Sequence, residues 1–203
     1  MKCKWVLPML LMVLLPQISF SDSIVINFDG FADAEALTTQ IAGVVFSNAI
    51  VLGAGQSLNE FDFPPHSGLN SVADFGSPLL ISFTNPISSF AGFFTYAEQL
   101  TVTAFGTAAN QVAVATSSFG NNLAGFGGTP NELLEVAFAG GISSVLISAN
   151  PAGFSFTMDD LSYTPGNGTP VPEPSSLVLL GTGLTIFLFV SISFSVIRHT
   201  GRR

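Results

Sequence analysis

The chain has 203 residues, is 48% hydrophobic and only 9% charged, and carries a formal net charge of −8, whereas soluble domains average about 25% charged residues. The five basic side chains (Lys2, Lys4, Arg198, Arg202 and Arg203) lie at the extreme ends, and all thirteen Asp and Glu lie between Asp22 and Glu173. An interior with that sign repels phosphate backbones, which argues against nucleic acid, and it suits divalent cations, cationic partners or neutral sugars when it is not simply a solubility device.

Residues 1–21 read as a secretory signal peptide. Lys2 and Lys4 form the positive start, Trp5 to Leu15 a short apolar core, and Ser19-Phe20-Ser21 a small-residue cleavage site before Asp22. The only cysteine, Cys3, falls inside this segment. The remaining chain therefore has no disulfide, no thiol nucleophile and no cysteine-based metal site.

Residues 22–164 show period-two patterning and almost no helical patterning. Apolar residues alternate in Ile24, Ile26 and Phe28; in Leu79, Ile81 and Phe83; in Leu100, Val102 and Ala104; in Leu134, Val136 and Phe138; and in Val145 and Ile147. Phe90, Gly92, Phe94 and Tyr96 share one face. Turn-forming clusters separate the runs, among them Gly53-Ala54-Gly55, Asn85-Pro86, Ala108-Ala109-Asn110, Gly125 to Pro130 and Gly140-Gly141. Short strands at this spacing predict an all-β antiparallel sandwich whose core is filled by Phe. The one helix expected is a short segment near Asp33 to Gln40.

The sharpest local feature is Phe154 to Tyr163. Up to Met158 the even positions are apolar; after the acids the odd positions Leu161 and Tyr163 are. A strand cannot change faces without an extra residue, so a β-bulge is expected at Asp159-Asp160. Two roles fit these carboxylates. One is a calcium site of Asp159, Asp160 and Asp29, the last joining if the first strand pairs with the last, since Ca²⁺ takes six to eight oxygens. The other is acceptance of backbone N–H groups freed by the bulge. No second metal is expected, because one external His and no external Cys do not build an ordinary zinc site.

No catalytic residue is assigned. His66 follows Pro64-Pro65 and reads as a solvated loop side chain, and no Gly-x-Ser-x-Gly is present to pair with it. The thirteen acids offer many pairs and no way to choose a glycosidase dyad. The chain is read as a non-enzyme, with a secreted hydrolase as the remote alternative.

Residues 165–176 form a Pro/Gly linker containing Val171-Pro172-Glu173-Pro174-Ser175. Pro172 and Pro174 hold Val171 and Glu173 extended, the form in which peptidases take substrate. Leu177 to Ile197 is uncharged; as a helix it is about 31 Å long, close to the ~30 Å hydrocarbon core. It is expected to span a membrane. The basic tail 198–203, with Arg198, Arg202 and Arg203, then stays on the cytoplasmic side.

That order, Val-Pro-Glu-Pro-Ser-Ser-Leu, then Leu180-Gly181-Thr182-Gly183-Leu184, an apolar helix and terminal arginines, resembles a PEP-CTERM sorting signal. The resemblance implies export by a Gram-negative bacterium that makes exopolysaccharide, and processing by the membrane enzyme exosortase. The stretches "SFTNPISSFAGFFTYAEQLTVTAFG" and "FSFTMDDLSY" also resemble the jelly-roll or carbohydrate-binding-module sandwiches found upstream of such tails. The expected protein has an external sandwich, first held at the membrane and then at the cell surface or in the extracellular matrix. Its expected work is a non-catalytic interaction role in the exopolysaccharide matrix of a biofilm, with a calcium-dependent carbohydrate-binding module as the alternative.

Overall fold

The computed structural model describes residues 22–76 and 78–166. They form ten strands: β1 (Ile24–Ile26), β2 (Ala36–Leu37), β3 (Val44–Ser47), β4 (Ala49–Gly53), β5 (Asn70–Asp74), β6 (Leu79–Tyr96), β7 (Thr101–Gly106), β8 (Gln111–Thr116), β9 (Glu132–Ser148) and β10 (Phe156–Pro165). Among the described residues the helical content is one 3-10 turn, Ala124–Phe126.

Every pairing between these strands is antiparallel. The order is β2-β4-β5-β10-β6-β9-β7-β8, with β1 added to β10 and β3 to β6. Two strands serve both layers of the sandwich. The first part of β6 pairs with β3 and with the far end of β9, while its second part pairs with β10 and the near end of β9. Between them the β6–β9 ladder loses register, from Ser82 to Ile87 and again from Ile87 to Ser89. Strands turn from one sheet into another through such bulges and bends.

Burial along β6 follows this change. Leu79, Ile81, Phe83 and Ile87 are buried at odd positions; Phe90, Phe94 and Tyr96 are buried at even ones. Apolar side chains of both layers meet in a single core, Val44, Ile81, Val102 and Val145 from one and Val51, Val72, Phe94 and Met158 from the other. Phe83 and Tyr163 pack across it with ring centroids 5.3 Å apart.

The structure corrects the sequence reading at several points. Asn85-Pro86 and Gly140-Gly141 do not end strands; both lie inside, in β6 and β9, at the corner where the ladder is interrupted. Phe138 stands in that corner too and is largely exposed. The expected helix near Asp33 to Gln40 is instead a turn followed by β2, which adds to β4 through Ala36↔Ile50 and Leu37↔Ala49. Pro165, expected in the linker, closes β10 opposite Ile87.

The expected signal peptide 1–21, the linker from residue 167 on, the spanning helix 177–197 and the tail 198–203 lie outside the described residues. Among the described residues no helix is long and apolar enough to cross a membrane.

Candidate functional site: a loop held by three aspartates

The bulge in β10 is present where the change of faces places it. Asp159 lies opposite Phe93 of β6, but Ser162 lies opposite Ala91, so β10 has one residue more than its neighbour over that interval. Asp160 takes the strain, with φ of 45°, a left-handed conformation that Asp tolerates better than most residues. β1 pairs with β10 through Ile24↔Tyr163, Val25↔Ser162 and Ile26↔Leu161. The condition set for Asp29 to approach the bulge is therefore met.

What gathers there is a loop. The segment preceding β5 lies across the β6–β10 pair, and each of the three aspartates holds part of it. Asp159 Oδ2 accepts the backbone N–H groups of His66 and Ser67, both at 2.8 Å, and its Oδ1 accepts Asp160 N–H at 2.7 Å. Asp160 accepts Ser67 Oγ–H at 2.8 Å on one oxygen and meets His66 Nδ1 at 2.6 Å with the other. Asp29 Oδ1 accepts Leu69 N–H at 2.8 Å and Asn70 N–H at 3.1 Å. Farther along, Asn131 Nδ2 donates to Pro64 O at 3.2 Å.

Consecutive backbone N–H groups on a loop are partial positive charges, and they take the place that Lys or Arg would fill in another domain. Among the described residues no three His, Cys, Asp or Glu side chains form a group able to hold a metal ion. Asp29, Asp159 and Asp160 surround a peptide segment and not a single point. Of the bonds they make, only Asp160 N–H to Asp159 lies within the bulge; the others go to the loop, to backbone N–H groups for Asp159 and Asp29 and to the Ser67 hydroxyl and His66 ring for Asp160.

His66 stays exposed, as its loop position suggests, but it is not free of contacts. Its ring stacks on Phe93 with centroids 3.5 Å apart and planes 6° apart, in addition to its contact with Asp160. Ser67, Phe93 and Asn131 also belong to the site, and nothing in the sequence singled them out. The available clue was compositional: without Lys or Arg, every buried acid needs neutral donors.

Burial raises the Asp159 carboxyl to about 6, and the neighbouring Asp160 charge adds to the rise; the amides of Ser67, Asp160 and His66 oppose it. Two more acids repeat the pattern. Asp74 is fully buried and accepts Ser155 N–H at 3.0 Å and Phe156 N–H at 3.4 Å, and burial pushes its carboxyl up against those bonds. Glu132 accepts Ser118 N–H at 3.0 Å, Ser118 Oγ–H at 2.6 Å and the Tyr96 hydroxyl. Partial burial would raise Glu132, but the donors outweigh it and the carboxyl falls below its ordinary value. Among the described residues no buried side-chain nitrogen or oxygen lacks a partner.

Fold and site define an all-β antiparallel domain with an aspartate-held surface loop. In the sequence that follows it, residues 170–193 match the PEP-CTERM protein-sorting motif. The chain carries a PEP-CTERM sorting motif in that segment, which implies an exported protein. No curated protein sequence matches it.

Several solved structures are similar to the chain, three of them as follows. The K2 cleaved adhesin domain of Lys-gingipain is 13% identical, with 70% of this chain and 99% of that one covered and a TM-score of 0.47. A DUF4465 family protein from Bacteroides caccae is 9% identical, with 71% and 99% covered and a TM-score of 0.41. The family 11 carbohydrate-binding module from Clostridium thermocellum, in complex with a β-1,3-1,4-mixed-linked tetrasaccharide, is 10% identical, with 73% and 98% covered and a TM-score of 0.35.

Proposed function

We propose that the protein is a non-catalytic component of the cell surface or exopolysaccharide matrix, delivered there by its sorting signal. The observation that carries this reading is the motif at residues 170–193, which contains Val171-Pro172-Glu173-Pro174-Ser175 and leads into the uncharged stretch 177–197 and Arg198, Arg202 and Arg203. In this reading the stretch 177–197 holds the chain in the membrane as a helix, and exosortase acts on the extended Pro-Glu-Pro segment in front of it. The all-β domain then remains outside as the working part.

The chemistry of the domain supports an interaction role. Asp29, Asp159 and Asp160 are engaged with backbone and side-chain donors, which leaves them as structural acceptors and not as an acid–base pair facing a cleft. An acidic outer surface without Lys or Arg favours neutral polysaccharide over anionic partners.

Intact mass of the protein taken from the producer's surface tests the sorting step. The expected mass lacks residues 1–21 and the helix beyond Glu173. A mass retaining that helix, in cells with active exosortase, leaves a plain membrane anchor. Binding of the same protein to the producer's own exopolysaccharide tests the interaction role. Binding that persists in chelator supports it. Binding that is lost in chelator, and lost again in a folded Asp159→Asn variant, moves the function to a calcium-dependent carbohydrate-binding module. No binding in either condition removes the polysaccharide from the proposal.

A further inference from the structure

The edge of a β-sheet presents unpaired N–H and C=O groups to any strand that approaches. Proteins blunt such edges by shortening them, charging them or covering them. Most edges of this domain are treated in that way. β2 is two residues long and follows Glu35; β1 is three residues long. The outer side of β3 is covered by the preceding segment, since Phe46 N–H donates to Thr38 O at 2.7 Å. The near end of β9 carries Glu132 and Glu135.

β8 has none of these protections. It is Gln-Val-Ala-Val-Ala-Thr, six residues with no charge, proline or glycine. It pairs with β7 on one side only. Among the described residues no backbone hydrogen bond reaches it from the other side. Val114 is 46% exposed, and β-branched valines at alternate positions favour an extended partner.

The charge map narrows the choice of partner. Residues 99–131 contain no Asp, Glu, Lys, Arg or His, although acids occur both before and after them. Two copies of an acidic domain repel each other wherever their carboxylates face, and they can approach most closely where there are none. A cationic partner would gain nothing at this neutral edge.

We propose that β8 pairs edge to edge, antiparallel, with β8 of a second copy of this chain. The layer β3-β6-β9-β7-β8 then continues across a two-fold axis into the same layer of its partner. Such an interface is self-complementary and closed. The blunted edges elsewhere stop the assembly at two copies and prevent a fibre. The pairing stands apart from the polysaccharide reading, because β8 shares no residue with the aspartate-held loop.

The test uses the full chain in mild detergent, with sedimentation over a wide concentration range and hydrogen exchange of the amides of residues 111–116. The expected result is a concentration-dependent dimer in which those amides exchange more slowly as dimer forms. Val114→Lys and Thr116→Lys each put a charge on the edge, the device by which other sheets keep an edge unpaired, and should weaken dimerisation about ten-fold or more, with unfolding midpoints unchanged. A wild-type chain that stays monomeric overturns the proposal. So does a dimer whose 111–116 amides exchange at the monomer's rate, or one that survives both lysines, since its contact then lies elsewhere. Should a variant fold poorly, the exchange measurement on the wild type decides alone.

Discussion

Asp159 is a carboxylate whose partners are almost all main chain. It is 1% exposed, and the domain has no Lys or Arg with which to neutralise it. Three N–H groups favour its ionised form, yet burial prevails and lifts the carboxyl to about 6. A carboxyl raised on folding stabilises the fold fully below its unfolded value of 3.8 and loses that contribution as pH rises through about 6. Asp159→Asn cannot ionise. Between about pH 3.5 and about pH 7 the unfolding free energy of the wild type should therefore fall against that variant by on the order of 3 kcal/mol. Urea unfolding of both proteins across that range checks it; parallel curves contradict it. Asp74→Ala should cost about 1–3 kcal/mol at neutral pH, because it leaves the Ser155 and Phe156 amides buried without an acceptor; an unchanged midpoint contradicts this. At this scale the sequence was informative about one side of each bond. The change of faces around Met158 pointed to Asp159 and Asp160, and the strand topology brought in Asp29. For Asp159 and Asp29 the partners on the loop are backbone N–H groups of His66, Ser67, Leu69 and Asn70, which leave no residue-type signature, and for Asp160 they are the Ser67 hydroxyl and the His66 ring; His66 lies 93 residues from Asp159.

The strands were legible because half-buried β-structure writes its period into the side chains, as Leu79, Ile81 and Phe83 do. Their joints were less so. A proline beside an asparagine, or two glycines together, marks a chain reversal and a sheet corner equally well. Asn85-Pro86 and Gly140-Gly141 therefore separated runs that β6 and β9 in fact join. The helix expected near Asp33 to Gln40 failed for a different reason: Ala36 and Leu37 gain more by extending β4 than a single isolated helical segment could gain alone. The held loop has its own weak joint. Gly68 has φ of +54°, and a Cβ there would lie 1.9 Å from Asp29 Oδ2. Gly68→Ala should destabilise by roughly 1–3 kcal/mol, through left-handed strain and displacement of Asp29. In an Asp29→Ala background the same change should cost less, because one of its two penalties has already been removed. Additive costs in that double-mutant cycle would show that the two positions act independently.

Apart from Asp160, which also meets the His66 ring, acids of the described domain take their hydrogen bonds from amides and hydroxyls, and no Lys or Arg lies between residues 22 and 166. Self-repulsion is therefore not offset by any Lys or Arg ion pair. Added salt screens it, so the melting temperature should rise between about 10 mM and about 500 mM NaCl, where the Debye length shrinks from roughly 30 Å to a few ångströms. A fall on adding salt would mean that attractive pairs outweigh repulsion. One consequence belongs to the last strand. β10 has β6 along one side and β5 and β1 along the other, and the chain leaves the domain through it at Gly166. A pull on the chain beyond Gly166 enters the domain at β10. It meets hydrogen-bonded neighbours on both sides of that strand, so both ladders must give before β10 comes away. The strand that leads toward the sorting motif is held by a ladder on each side.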